Sequence, residues 1–357
     1  MKKYTSYILT LIILLIAGFF VFRPNKDAEF SKTNYFLGTV NTVTIYGKNQ
    51  NKAEEILSGC DKVVQKIDNL MSTEIPGSDV SKINKNAGIK PVEVSEETYD
   101  VIKEAINYSK ISNGNFDISI GPISELWSIG REDARVPNDA EINSLLPLVD
   151  YKNIEIKKEK FEEDKDNNGK NETFDTKFTV FLKNKGMKID LGAIAKGYAA
   201  DQVAEFLKLK EVNRAIINLG GNIKTIGNFN IGLKNPIENA NDSFASIKVS
   251  NKSVVTSGVY ERFVEKDGKK YHHILSPFNG YPFDNNLLSV TIISNKSINC
   301  DALSTSAFAL GLDNGKNLIE NIDNVEAVFV TRDNKVYLTK GFKDDFKILN
   351  DNFELVK

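Results

Sequence analysis

Asp190-Leu191-Gly192-Ala193-Ile194-Ala195-Lys196-Gly197-Tyr198-Ala199-Ala200-Asp201 runs from a strand-like segment through a glycine into an apolar-periodic helix that ends near Lys208. A helix that begins this way offers free backbone N–H groups and the positive end of its dipole, a setting for phosphate or pyrophosphate, with Lys196 as an added cation. The same residues also describe an ordinary cap followed by an exposed charge. Downstream, Asp301-Ala302-Leu303-Ser304-Thr305 is similar in style, because Asp301 and Thr305 are four residues apart and share a helix face. They can supply two hard oxygens to Mg²⁺, or Asp301 can serve as an N-cap. Gly220-Gly221-Asn222 follows the apolar run Ile216-Ile217-Asn218-Leu219 and reads either as a close backbone approach to a ligand or as an ordinary turn. It does not complete a G-x-G-x-x-G fingerprint, and no Walker pattern occurs.

Helical spacing of Ala53, Ile56, Leu57, Cys60, Val63, Val64, Ile67, Leu70 and Met71 predicts an amphipathic helix over 53–71, with Cys60 as a buried apolar filler. A second helix is expected over 96–112, capped by Ser95, with Glu96 and Glu97 in its first turn and Asn113-Gly114 as its stop. Strands are expected at 42–46, 178–182, 215–219, 229–233, 246–249, 288–293 and 327–330. Helices and strands alternate irregularly, so the predicted class is α+β rather than a doubly wound sheet. The chain beyond the N-terminal segment, about 330 residues, is large for one core, and two lobes sharing a cleft are expected.

The whole chain has 357 residues, 41% hydrophobic and 26% charged, which excludes a disordered, collagen-like or disulfide-stapled protein. A formal net charge of −2 gives no general electrostatic case for nucleic-acid binding. Cys60 and Cys300 lack any zinc-ligand spacing. From Tyr4 to Phe22 the chain is uncharged and apolar apart from Thr5, Ser6 and Thr10, with Lys2 and Lys3 before it and Arg23 and Lys26 after it. That length spans a bilayer, so residues 1–26 read as an uncleaved anchor with the rest outside the cytoplasm, or as a cleaved signal. Phe19 stands where a lipid-bearing cysteine would have to be after Leu15-Ile16-Ala17-Gly18, which argues against lipidation. Residues 27–357 form the soluble part. Within it, an acidic stretch from Asp164 to Asp175 has oxygen-bearing residues at EF-hand positions and Gly169 at the turn, although Asp175 replaces the usual final Glu. It reads as a Ca²⁺ loop or as a solvated hairpin turn.

Only two histidines exist, His272 and His273, and they are adjacent. In an extended segment their side chains face opposite sides, so one can enter a cleft while the other meets solvent, and at most one is catalytic.

These pieces occur in the order and wording of one family. The chain resembles the ApbE-type FAD:protein FMN transferases through Leu37-Gly38-Thr39, Met71-Ser72 with Ser78 and Asn84, Gly114-Asn115-Phe116-Asp117 up to Pro122 with Trp127, and Ile189-Asp190 up to Tyr198. The resemblance continues through Asn218-Leu219-Gly220-Gly221, Thr256 to Arg262, His273-Ile274 with Pro277 and Gly280, and Asp301 to Thr305. It implies an α+β, T-fold-like catalytic domain, two-lobed around a flavin cleft. The implied enzyme is extracytoplasmic, splits the FAD pyrophosphate, transfers FMN to a Thr or Ser hydroxyl of an acceptor redox protein at the outer membrane face, and releases AMP. By position, Asp190 and Lys196 would contact FAD. The Ala193 carbonyl, Asp301 and Thr305 would coordinate Mg²⁺. Leu37, Asn115, Phe116, Asp117 and Ile274 would line the flavin or adenosine pocket, Glu74 would stand at the position of a stacking aromatic, and His273 would be the base. Leu37 in place of a common Met, Glu74, Ser276 and Phe278 depart from the family pattern. With water as acceptor the same residues give a Mg²⁺-dependent FAD pyrophosphatase. A non-catalytic flavin-binding surface protein would need neither a base nor a metal.

Overall fold

The computed structural model describes residues 28–164, 172–237, 240, 242–342 and 345–356. Residues 1–26, which carry the anchor reading, and 165–171, the centre of the acidic stretch, lie outside the described residues. Among the described residues no helix is long and apolar enough to cross a membrane.

The helices are α1 (Gln50–Met71), α2 (Asp79–Lys85), α3 (Glu96–Ile111), α4 (Gly121–Trp127), α5 (Asp139–Leu145), α6 (Ala195–Leu209) and α7 (Ser297–Glu320). A nine-stranded sheet orders its strands Ala28–Phe36, Thr39–Gly47, Ala215–Leu219, Asn222–Ile226, Ser253–Gly258, Leu287–Ser294, Glu326–Thr331, Lys335–Leu338 and Glu354–Leu355. Neighbours are antiparallel except for the last pair. Helices α1, α6 and α7 pack on this sheet and build the main core. A three-stranded sheet of Phe346–Ile348, Ser243–Ser250 and Asn228–Lys234 supplies Ile231, Leu233, Phe244 and Ile247 to a second cluster with Val254, Ile293 and Val330. Ile123, Trp127 and Ile142 centre a third. The apolar residues thus form one dominant core with two satellites, where the chain length suggested two lobes.

Local sequence explains these elements. Helix α1 buries Ala53, Ile56, Leu57, Cys60, Val64, Ile67 and Met71, the stripe expected from its spacing. Cys60 is fully buried and burial pushes its thiol up to about 12, so it packs as a small hydrophobe. Ser95 caps α3 by accepting from Thr98 N at 3.2 Å, and Asn113 and Gly114 end it at positive φ. The polar segment after the N-terminal stretch forms the edge strand Ala28–Phe36, held by backbone pairing from Ala28↔Gly47 to Phe36↔Thr39. Gly220 and Gly221, at φ +60 and +89, make a two-residue hairpin turn, and a Cβ at Gly220 would strike the Thr39 side chain. The close approach made possible there is to the neighbouring strand.

In the acidic stretch the strands Ile154–Asp164 and Glu172–Leu182 pair up to Asp164↔Glu172. Asp175 lies opposite Phe161, three rungs from the turn, so the last position of the Ca²⁺ reading belongs to a hairpin strand.

Candidate active site

The turn into α6 is built by residues far apart in sequence. Asn84 grips both backbone groups of Ile189, donating to its carbonyl at 3.0 Å and accepting from its N–H at 2.7 Å. The next residue, Asp190, accepts from Gly192 N through Oδ1 and from Ser124 Oγ through Oδ2, both at 2.9 Å. Ile194, at the N-cap position, has no side chain able to cap α6. The cap arrives from α7 instead, where Asp301 Oδ2 accepts from Gly197 N at 2.9 Å. That diversion deprives the Ala193 carbonyl of the donor four residues on that a continuing helix would provide.

Lys196 Nζ donates to the Gly192 carbonyl at 2.6 Å and stands 3.8 Å from Asp301 Oδ1. One turn along α7, Thr305 Oγ1 lies 3.3 Å from Ser257 Oγ, which also bonds Ser304 Oγ at 2.8 Å. The predicted metal set is therefore a hydroxyl, a carbonyl stripped of its helical donor, and one 7% exposed carboxylate whose Oδ1 stands 3.8 Å from an ammonium. The Lys196 ammonium between the Gly192 carbonyl and Asp301 Oδ1 shows that this side of the carboxylate favours positive charge. Among the described residues no group of three or more His, Cys, Asp or Glu side chains gathers that could hold a metal. The oxygen set fits Mg²⁺, which keeps several waters and takes substrate phosphates, and does not fit zinc.

The two helices meet closely at Gly197, where a Cβ would strike the Ser297 carbonyl and come within 2.7 Å of Ile298 Cα. Both obstacles are backbone. Gly197→Ala is expected to destabilise the fold by about 1–3 kcal/mol, read from a urea transition, and a wild-type midpoint would show that the crossing has slack.

The adjacent histidines separate as alternation requires. His272 is buried, its Nε2 3.0 Å from the Phe283 carbonyl and its Nδ1 accepting from Ile274 N at 3.3 Å. Both nitrogens are consumed, so the solvent exposure expected for the second histidine is replaced by a structural place in the interior. His273 is half-buried, and its Nδ1 lies 3.2 Å from the Arg262 carbonyl, which also accepts His273 N at 3.2 Å. A carbonyl can only accept, so Nδ1 carries the proton and Nε2 presents its lone pair. Burial first, and then the charges of Arg262, His272 and Lys196, push the His273 imidazole down to about 4. Burial does the same to His272, also to about 4. Both rings are neutral at pH 7.

Folded values below the unfolded value of about 6.5 mean that the stability contributed by these rings is present above pH 6.5 and is lost as pH falls toward 4. The urea midpoint should decline between pH 7 and 5, above the carboxylate range, and His272→Asn should flatten that decline. A midpoint constant across that window would contradict neutral burial.

Other predicted residues fall at different depths. Leu37 is half-buried in a two-residue hairpin turn at φ +53, an uncommon conformation for a bulky side chain, and the following Gly38 carbonyl accepts from Arg262 Nη2 at 3.1 Å. Asn115 is half-buried and donates to the Ser112 carbonyl at 2.8 Å. Glu74 is exposed and pairs with Arg131 Nη2 at 2.7 Å, an ion pair where the resemblance expects a ring. Phe116 and Ile274 bury their side chains in the main core, at 3% and 5% exposure. Asp117 is likewise buried, and its oxygens accept from Ser119 N, Ser119 Oγ and Tyr151 N, which shapes the loop. Burial raises its carboxyl above the ordinary range. A cavity of about 400 Å³ lined by Lys234, Tyr260, His272 and Arg332 contains none of the predicted site residues.

Sequence reasoning assigned no role to Asn84, Arg262 or Ser257. Their signal was present only as parts of motifs, since hydrogen bonds across 105 residues cannot be read from spacing.

Residues 37–329 match the ApbE family. The FAD:protein FMN transferase of Klebsiella pneumoniae (strain 342) is 36% identical over 303 residues, covering 85% of this chain and 90% of the relative. That of Treponema pallidum (strain Nichols) is 30% identical over 344 residues, 92% and 91% of the two chains. The crystal structure of the ApbE protein from Thermotoga maritima superposes with a TM-score of 0.72 at 31% identity, over 85% of this chain and 94% of that one. With the α+β fold, the helix-start turn and the Asp301–Lys196–His273 grouping in place, matches of this breadth establish that the chain belongs to the ApbE family.

Proposed function

We propose that the protein transfers FMN from FAD to a Thr or Ser hydroxyl of an acceptor redox protein, forming a phosphoester and releasing AMP. The observation that carries this reading is the placement of His273, whose Nδ1 lies 3.2 Å from the Arg262 carbonyl and leaves Nε2 as the basic atom. The names of the relatives support the same reaction.

His273 Nε2 takes the proton of the acceptor hydroxyl. The hydroxyl oxygen then forms a bond to the FMN phosphorus, the pyrophosphate bridge to that phosphorus breaks, and its electron pair leaves with AMP. The Lys196 ammonium orients the pyrophosphate and offsets its charge. Asp301, Thr305 and the Ala193 carbonyl would hold Mg²⁺. When bound, the ion neutralises charge developing on the phosphoryl oxygens. The apolar segment Tyr4–Phe22 supports a membrane-anchored, extracytoplasmic placement beside its acceptors.

The test is a mass spectrum of a threonine-bearing acceptor fragment incubated with the protein, FAD and Mg²⁺, beside an EDTA control. Addition of one FMN that EDTA suppresses is the expected result. Free FMN and AMP without an adduct would replace transfer by hydrolysis, and intact FAD would leave only binding.

A further inference from the structure

The first turns of α6 and α7 press together at Gly197, Ser297 and Ile298, which brings two positive dipole ends into contact. Neither helix caps itself. The residue before α6 is Ile194 and the residue before α7 is Lys296, and neither side chain makes a capping bond. Each helix is instead capped by a carboxylate from the other. Asp301 of α7 accepts from Gly197 N, and Asp201 of α6 accepts from Ser297 N at 2.9 Å through Oδ1 and from Ile298 N at 3.0 Å through Oδ2. In both helices the donating residue and the carboxylate are four apart, Gly197 with Asp201 and Ser297 with Asp301, so each carboxylate stands one turn above the N–H that its counterpart holds. Lys224, its side chain only 8% exposed, fixes Asp201 Oδ1 at 3.1 Å and also donates to the Asn295 carbonyl just before α7.

We infer that Asp201 is a positioning residue for cation binding at Asp301. This rests on the proposed reading that Asp301 takes Mg²⁺. Asp201 holds the first turn of α7 against α6, and that contact sets the direction of Asp301 Oδ1 once Oδ2 is committed to Gly197. Without the Asp201 charge, two unscreened helix ends face each other and the clasp loosens. Asp301 then no longer holds Oδ1 in its present direction beside Lys196. Partners that orient a ligand in this way usually change metal affinity by about 10–100-fold.

Calorimetric titration of Mg²⁺ onto the purified full-length protein tests this, with FAD affinity in EDTA measured in parallel by flavin fluorescence. Asp201→Asn is expected to weaken Mg²⁺ binding about tenfold or more with FAD affinity unchanged. Asp201→Glu, which keeps the charge and the Lys224 pair, should recover part of the loss, and it answers the same question if the Asn variant does not fold. Wild-type Mg²⁺ affinity together with a lowered unfolding temperature would reduce Asp201 to a structural cap and overturn the inference. Asp301→Asn is run alongside. If that variant binds Mg²⁺ like the wild type, the metal assignment itself has failed and the inference falls with it. If only Asp301→Asn loses binding, the assignment stands and the positioning role fails.

Discussion

Asp301→Ala is expected to lower FMN transfer about a thousandfold or more at saturating Mg²⁺ while the chain stays folded. The carboxylate does two jobs with its two oxygens. Oδ2 caps α6 through Gly197 N, and Oδ1 stands 3.8 Å from the Lys196 ammonium. Losing the first costs about 1 kcal/mol of stability, the usual worth of an N-cap. Losing the second removes the one carboxylate from the cation's proposed oxygens, where a metal supplies several kcal/mol of transition-state stabilisation at 1.36 kcal/mol per decade of rate. Asp301→Asn separates the two, because its amide oxygen can still accept from Gly197 while the charge is gone. The Asn variant should therefore recover most of the stability and little of the rate. Mg²⁺-dependent transfer surviving in both variants would place the cation elsewhere.

The fold was legible where burial imposes a period. Ala215–Leu219 matches its expected bounds because Ala215, Ile217 and Leu219 face the core in strict alternation, and α1 shows the three- and four-residue stripe that a half-buried helix must carry. The first strand was illegible for the opposite reason. At the sheet edge, Ser31, Thr33 and Tyr35 stay exposed, so backbone pairing rather than side-chain burial defines Ala28–Phe36, and its composition looks like a linker. The short helices α2, α4 and α5, each of seven residues, are too brief to display a period.

The site divided along a similar line. Residue types that carry chemistry, namely His273, Lys196 and Asp301, could be picked out by scarcity, helix position and motif, and the fold groups them. What spacing could not give is which atoms remain available. Phe116, Asp117 and Ile274 sit in the right motifs yet bury their side chains, while Asn84 holds both backbone groups of the distant Ile189 and Arg262 acts through its own carbonyl. The reciprocal caps of α6 and α7 are of the same kind, since Ile194 and Lys296 look like poor caps until the partner helix is seen.

His273→Ala should retain FAD binding and lose about 10²- to 10⁴-fold in kcat, the usual contribution of a positioned general base. The argument rests on the tautomer. Because the Arg262 carbonyl holds the Nδ1 proton, Nε2 is the basic atom, and burial with two neighbouring cations keeps it unprotonated down to about pH 4. The acid limb of kcat/KM for the wild type should therefore lie well below the ordinary histidine value of about 6.5. His273→Gln preserves a polar side chain of similar reach but cannot take a proton, and it should be as slow as the alanine variant. Exogenous imidazole should restore part of the rate to His273→Ala and none to Asp301→Ala, since only the first variant lacks a base. A near-wild-type rate in His273→Gln would assign proton removal to another group and reduce His273 to a strut held by the Arg262 carbonyl. An acid limb near 6.5 would show that the ring titrates as an ordinary histidine, contrary to the lowering expected from its burial beside Lys196 and Arg262.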